Sequence, residues 1–222
     1  MEEDRLIRKI VEDVLSRLAG EISNKEQASP ATSGEIPIAS SNRHVHLSRA
    51  DLEVLFGRGY ELTPMKDLSQ PGQFACMETV TVAGKGGCLN NVRVLGPVRS
   101  RSQVEVSITD CHILGIDLPP VRDSGDLDGT PGITLIGPGG TVILSEGLIL
   151  AKRHLHMTPG DAARFGVKDK QLVKVRIGGE RGVIFEEVLV RVNENFSLEL
   201  HLDFDEANAC GLKPGMKGEL II

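Results

Sequence analysis

A nine-residue segment occurs twice in this 222-residue chain, with about 110 residues between the two starting points. Residues 43–51 read RHVHLSRAD and residues 153–161 read RHLHMTPGD. Each copy places two histidines on either side of one apolar residue and continues into a Ser/Thr-x-x-Asp motif. The first part is typical of a strand end and the second of a helix start. The repeat therefore predicts a duplicated unit, with two pseudo-equivalent halves that meet at a shared site.

From Ile36 onward the chain is patterned as short strands separated by turn residues. The predicted strands cover residues 80–83, 91–95, 104–108, 133–136, 141–144, 172–177, 183–192 and 196–204. Gly137–Gly140 is predicted to be a hairpin turn rather than a phosphate-binding loop. The predicted helices are few and short, namely Arg49–Phe56, Pro159–Phe165 and Asp205–Cys210. This pattern predicts a mainly β fold built from β-barrels.

The N-terminal segment has a different pattern. Apolar residues at positions 6, 7, 10, 11, 14, 15 and 18 predict an amphipathic helix over residues 1–20, and the polar residues 21–35 predict a flexible linker. A helix on such a linker favours docking to a partner protein. The alternative is an ordinary core helix on a long loop.

Composition excludes several functional classes. The net charge is −6, aromatic residues make up 3% of the chain and Trp is absent, which disfavours a nucleic-acid partner. No apolar run is long enough to predict a membrane span or a secretory signal. The four cysteines form no CxxC pair, which favours reduced thiols over disulfides or a cysteine-type zinc site.

The histidines carry the strongest chemical signal. Residues two apart on a strand share a face, so each HxH pair can direct two imidazoles at one point, as zinc or iron sites require. A single HxH is more often exposed or hydrogen-bonded, but two in matching contexts favour metal binding. His201 lies in a further strand-like run and shares a face with Glu199 and Asp203. The isolated His112 is interpreted as structural.

Glu105 and Arg99 are ambiguous by themselves. Glu105 lies between two valines, so it points away from a core, either toward a site or into solvent. Arg99 follows a Gly-Pro turn and suits phosphate recognition, but its position alone favours an ordinary solvated arginine. These two residues are roughly 20 Å apart along a straight strand. They can serve one site only if the chain bends after Pro97 or if Arg99 reaches in from one side.

Several segments together resemble the PduL-type phosphotransacylases, or phosphate propanoyltransferases, of bacterial microcompartments. The matching segments are residues 42–51 (NRHVHLSRAD), 68–75 (LSQPGQFA), 92–105 (VRVLGPVRSRSQVE), 153–161 and 200–209 (LHLDFDEANA). Residues 1–20 also resemble the encapsulation peptide of that family.

The resemblance implies two small β-barrels with short capping helices. The first barrel would combine residues 36–44 and 152–222, and the second would comprise residues 45–151. It also implies two zinc ions per chain. One zinc would be held by His44, His46 and Glu105 with an open position for the substrate sulfur. The other would be held by His154, His156 and His201 with waters or phosphate. Arg99 falls where the family places a phosphate-contacting, catalytic arginine.

The expected reaction converts a short acyl-CoA, propanoyl-CoA by the family name, and phosphate into acyl phosphate and CoA. The alternatives are a zinc-dependent hydrolase and a non-catalytic microcompartment component with structural zinc. The expected partners are CoA substrates, phosphate, shell or core proteins bound by residues 1–20, and a second copy of the chain in a dimer. No membrane or nucleic-acid partner is expected, and the expected location is a bacterial microcompartment in the cytoplasm.

Overall fold

The structure, a computed structural model, describes residues 34–221. The helix expected over residues 1–20 and nearly all of the expected linker lie outside the described residues. In chain order the strands are β1 (Glu35–Ser41), β2 (His44–His46), β3 (Pro64–Asp67), β4 (Phe74–Ala83), β5 (Cys88–Gly96), β6 (Gln103–Val106), β7 (Val121–Arg122), β8 (Thr134–Ile136), β9 (Thr141–Ile143), β10 (Leu148–Ala151), β11 (His154–Met157), β12 (Leu172–Ile177), β13 (Val183–Val192), β14 (Glu199–Asp203) and β15 (Lys217–Ile221).

Four short helices accompany these strands in the described part of the chain. They are α1 (Arg49–Phe56), α2 (Ile108–Leu114), α3 (Pro159–Phe165) and α4 (Phe204–Ala209). None of them has the length and apolar character that crossing a bilayer requires. Ser48 and Thr158 cap α1 and α3 by accepting the backbone N–H three residues on, which confirms the helix starts predicted from the repeat.

The strands form two sheets. Six strands close into a barrel in the order β1-β14-β11-β13-β12-β15, with β15 pairing back to β1. The other nine form a half-barrel sheet in the order β7-β10-β6-β2-β5-β4-β8-β9, with β3 beside β4. The prediction of a mainly β fold with short helices is confirmed, and of the two predicted β-barrels one is a closed barrel and the other a half-barrel. The 137–140 hairpin turn joins β8 to β9 as expected.

Each HxH strand begins where the chain crosses from one sheet to the other. Residues 42–43 lead from β1 of the barrel into β2 of the half-barrel, and residues 152–153 lead from β10 of the half-barrel into β11 of the barrel. The middle residue of each pair, Val45 or Leu155, is fully buried in the apolar core of its own sheet. Strand alternation therefore turns the flanking histidines toward the junction of the two sheets.

The prediction was wrong around Ile108. The alternation of Val104, Val106 and Ile108 predicted a continuous strand, but β6 ends at Val106 and α2 begins at Ile108. The cause is Ser107, which caps α2 by accepting the Asp110 N–H while the Asp110 carboxylate accepts the Ser107 N–H. His112, interpreted as structural, lies exposed on this helix.

Candidate active site

Six side chains form two groups with the donor types and spacing of metal sites. The Glu-containing group consists of His44, His46 and Glu105, and the three-histidine group consists of His154, His156 and His201. Within each group one potential ligand atom from each residue lies within 4.8 Å of the others. The structure thus brings together the residues that the resemblance assigned to each zinc ion.

The same strand pairing builds both groups. The first histidine of each pair lies directly opposite the third member of its group: His44 faces Glu105 between β2 and β6, and His154 faces His201 between β11 and β14. Both pairings are antiparallel. Each HxH strand also has a parallel neighbour on its other side, β5 in one case and β13 in the other. This repetition is what a duplicated unit predicts.

An arginine lies directly before each HxH strand, where the chain passes from one sheet to the other, and forms an ion pair there. Arg43 pairs with Asp110 at 2.7 Å, and Arg153 pairs with Glu206 at 2.8 Å. Both carboxylates also belong to a capping box at a helix N-terminus, α2 in the first case and α4 in the second. The arginines of the repeated segment therefore connect the HxH strands to the helices that follow Glu105 and His201.

Backbone carbonyl groups orient three of the imidazoles. The Nδ1–H groups of His44, His46 and His154 donate to carbonyl oxygens, at distances of 2.8, 3.2 and 2.8 Å respectively. This leaves the Nε2 lone pair of each ring directed away from the backbone. Ligating histidines are held in this way in metal proteins, because the second ring nitrogen fixes the tautomer and the ring orientation.

The three-histidine group fits a bound zinc ion. The Nε2 atoms of His154 and His156 are 3.0 Å apart, and the Nδ1–H of His154 is already engaged with the Lys152 carbonyl. Two ligand nitrogens on a tetrahedral zinc lie roughly 3.3 Å apart. In the hydrogen bond between them the His156 Nε2–H donates to the His154 Nε2, and a cation between the two nitrogens would replace that proton and use one lone pair from each ring. Three imidazoles, or two imidazoles and a carboxylate, are common zinc ligand sets.

The protonation states also suit a metal. Burial, reinforced by neighbouring positive charge, lowers the pKa of His46 to about 3, that of His154 to about 4 and that of His156 to about 2. Burial alone would raise the pKa of Glu105, but the adjacent His44 outweighs it and holds that pKa well below its usual value. At pH 7 His46, His154 and His156 are therefore neutral imidazoles and Glu105 is an ionised carboxylate, the forms that bind metal, whereas Glu105 outweighs burial at His44 and raises the pKa of that ring.

This burial predicts an acid-sensitive metal-free protein. A histidine whose pKa is lower in the folded chain binds fewer protons when folded, so its stability contribution is complete above about pH 6.5 and is lost as the pH falls. His46 alone contributes up to about 1.4 kcal/mol per pH unit to this slope. In denaturant unfolding of zinc-free protein between pH 6.5 and 5, His46→Asn is expected to show a shallower decline than wild type. The control is His112→Asn, an exposed position, and equal slopes for all three proteins would contradict the prediction.

Both groups open onto one cavity of about 680 Å³. Arg99 lines it beside the Glu-containing group, and its Nη1 donates to the Ser124 hydroxyl at 3.0 Å. The chain leaves β5 at Gly96 and re-enters a sheet at Gln103, and in between the Arg99 N–H donates to the Leu47 carbonyl. This bend after Pro97 was one of the two arrangements by which Arg99 and Glu105 could serve one site, and it brings both residues to the same cavity.

The cavity also contains polar residues that sequence reasoning did not select. They include Ser124, Arg191 and, from the Leu68–Gln73 loop, Ser69, Gln70 and Gln73. Arg191 lies on β13 opposite His156. Its sequence signal was a charged residue between two valines, the same pattern that drew attention to Glu105. Ser124 and the Leu68–Gln73 loop form hydrogen bonds with segments far away in the sequence, and no local sequence pattern indicates these contacts.

A family model described as phosphate propanoyltransferase matches residues 37–213, a range that contains both groups and Arg99. The chain belongs to the phosphate propanoyltransferase family. Among its curated relatives of that name, the Thermotoga maritima protein is 61% identical over 81% of this chain and 86% of the relative. The Enterococcus faecalis protein is 50% identical over 97% of each chain.

Membership of the phosphate propanoyltransferase family confirms the resemblance drawn from the sequence segments. It also confirms the prediction of an enzyme of the phosphotransacylase class. The assignment of particular residues to zinc and to phosphate stays a prediction.

Proposed function

We propose that this chain interconverts a short acyl-CoA and phosphate with acyl phosphate and CoA at a two-zinc site, and that propanoyl is its acyl group. The observation that carries the proposal is that two metal-type groups and Arg99 line a single cavity. The names of the relatives favour propanoyl as the acyl group.

The reaction moves an acyl group between sulfur and oxygen. A phosphate oxygen forms a bond to the thioester carbonyl carbon, the carbon–sulfur bond breaks, and its electron pair leaves on the CoA sulfur. The proton of monohydrogen phosphate ends on the released thiol, so atoms and charge balance. No covalent acyl-enzyme is needed, consistent with the absence of an activated serine or cysteine motif in the sequence.

The Glu-containing group would hold one zinc ion and the three-histidine group the other. Bound zinc supplies Lewis-acid chemistry: it polarises a carbonyl oxygen, accepts a thiolate and neutralises phosphate charge. The two groups influence each other electrostatically, since Glu105 acts on the pKa of His154 and is acted on in return. This proximity supports a single reaction centre.

Arg99 would bind and orient phosphate. Ser124 restrains one end of its guanidinium, and Gln103 donates to the same hydroxyl at 2.8 Å. A planar guanidinium held in this way matches two phosphate oxygens and opposes their charge as the attacking oxygen is directed at the carbonyl carbon.

A thiol-release assay separates this proposal from the alternatives. Propanoyl-CoA is incubated with the zinc-loaded protein, with and without phosphate, and free CoA is measured with a thiol reagent. A phosphotransacylase releases CoA only when phosphate is present and forms an equal amount of acyl phosphate. Release that is independent of phosphate indicates a hydrolase, and no release under either condition indicates a structural zinc protein.

We also propose that residues 1–20 deliver the enzyme to a bacterial microcompartment, with residues 21–35 as linker. The catalytic part would then comprise one barrel formed by residues 36–44 and 152–222 and a second formed by residues 45–151. A dimer of this part is proposed as well.

Removing the N-terminal segment is expected to leave catalysis unchanged. A protein beginning at Gly34 retains both metal-type groups and the apolar cores of both sheets. Its kcat and zinc content are expected to equal those of the full chain. Loss of folding on truncation would assign the segment to the core instead.

A fluorescent protein fused to residues 1–20 is expected to enter microcompartments, because the apolar stripe of this segment suits a partner groove. The double substitution Ile10→Glu and Val14→Glu is the matched variant. It should release the intact, monodisperse fusion to the cytosol. Equal localisation of the two fusions would refute the docking role.

A further inference from the structure

In each group, the residue that pairs across the sheet with the second histidine of the HxH motif forms a hydrogen bond to the third member of the group. His46 faces Gln103, whose Nε2 donates to the Glu105 carboxylate at 2.5 Å. His156 faces Glu199, whose Oε2 accepts a hydrogen bond from Nε2 of His201 at 2.7 Å. The same register thus places an orienting side chain at equivalent positions of the two halves.

The two orienting side chains differ in charge in a complementary way. In the Glu-containing group the ligand is anionic and its holder is a neutral amide. In the three-histidine group the proposed ligand is the imidazole of His201 and its holder is a carboxylate. Each group therefore includes one carboxylate: Glu105 as a proposed ligand, and Glu199 as the hydrogen-bond partner of the proposed ligand His201.

We propose that Glu199 is a positioning residue for the metal held by the three-histidine group, an inference that rests on the proposed two-zinc function. Its hydrogen bond engages Nε2–H of His201 and so leaves Nδ1 as the nitrogen available to the metal. The negative charge behind the ring makes the imidazole a stronger ligand, as in other carboxylate–histidine–metal arrangements.

Glu199 is itself held in place from the other sheet. Ser69 donates a hydrogen bond to the same carboxylate oxygen, and Gln70 exchanges two hydrogen bonds of 3.2 Å with the backbone of Ser197. Both residues belong to the Leu68–Gln73 loop, which lines the main cavity. The Glu199 and His201 side chains are only 14% and 20% exposed, so solvent competes weakly for this bond. The Leu68–Gln73 loop, which lines the cavity, therefore donates a hydrogen bond to the carboxylate that orients the proposed metal ligand His201.

The test measures zinc affinity rather than activity. Zinc-free wild-type protein, Glu199→Gln and Glu199→Ala are titrated with zinc in competition with a fluorescent chelator. Wild type should bind two ions per chain. Glu199→Gln, which loses the charge but keeps an acceptor oxygen, should bind one of the two about 10- to 100-fold more weakly. Glu199→Ala should weaken the same ion further, and the control Glu194→Gln, an exposed position five residues away, should leave both unchanged.

Two additional measurements keep the outcome decisive. Cobalt loaded in place of zinc should show an altered visible absorption spectrum in Glu199→Gln, since the ligand field at one site changes. If the Glu199 variants do not fold, Ser69→Ala on the cavity loop replaces them, with an expected weakening of about 2- to 10-fold, the value of one hydrogen bond. Wild-type protein that binds fewer than two ions would refute the proposed function. Two ions in wild type with unchanged affinities and cobalt spectra in the variants would refute the role of Glu199.

Discussion

Replacing His156 with alanine is expected to remove one zinc ion per chain and to lower kcat by about 10³-fold or more. The side chain is 4% exposed, and its Nε2 lies 3.0 Å from that of His154. Without it the three-histidine group keeps two imidazoles, too few to retain zinc tightly. Metal catalysis contributes several kcal/mol of transition-state stabilisation, and each 1.4 kcal/mol corresponds to a factor of about 10. Zinc content by elemental analysis and kcat by thiol release are the measurements.

Histidine-to-alanine substitutions at two other positions separate the loss of zinc and kcat from a general loss of stability. His46→Ala should remove the other zinc ion with a similar loss of kcat. His112→Ala, at the exposed histidine on α2, should change neither zinc content nor kcat. Full activity in His156→Ala, with one zinc ion still bound, would show that the second ion does not take part in catalysis.

Replacing Arg99 with lysine is expected to raise the phosphate KM by about 10- to 100-fold and to leave the acyl-CoA KM nearly unchanged. Lysine keeps the positive charge but loses the planar pair of donors, and a hydrogen bond between charged groups is worth about 1.5–3 kcal/mol. The Ser124 hydroxyl that now holds the guanidinium cannot hold an ammonium group in the same geometry. Steady-state kinetics with each substrate varied in turn gives both constants.

The control for Arg99 is Arg58→Lys, which makes the same exchange at an exposed loop position. Zinc content should equal that of wild type in both variants. An equal rise in the two KM values of Arg99→Lys would mean that Arg99 supports the shape of the site rather than phosphate binding.

Local patterns predicted the elements that carry the site. The HxH segments lie on short strands, and α1 and α3 begin and end at the predicted residues. These features depend on strand alternation and helix capping, which act within a few residues. Helix α2 begins at the same Ser-x-x-Asp motif, formed by Ser107 and Asp110, but the alternation of Val104, Val106 and Ile108 predicts a strand across that start.

The membership of each group depends on contacts that sequence spacing does not reveal. Glu105 and His201 were assigned by resemblance, since only the register of β2 with β6 and of β11 with β14 places them opposite a histidine. The hydrogen bond from Ser69 to Glu199 joins residues 130 positions apart. Such pairings follow from how the two sheets meet, and no local propensity determines that.

Titration of zinc-free protein with zinc, with propanoyl-CoA turnover measured in the presence and absence of phosphate, tests the two-zinc phosphotransacylase directly. The expected result is negligible activity without zinc and a plateau near two equivalents per chain, with CoA released only when phosphate is present. Full turnover by the zinc-free protein, or CoA release that does not depend on phosphate, would contradict the account.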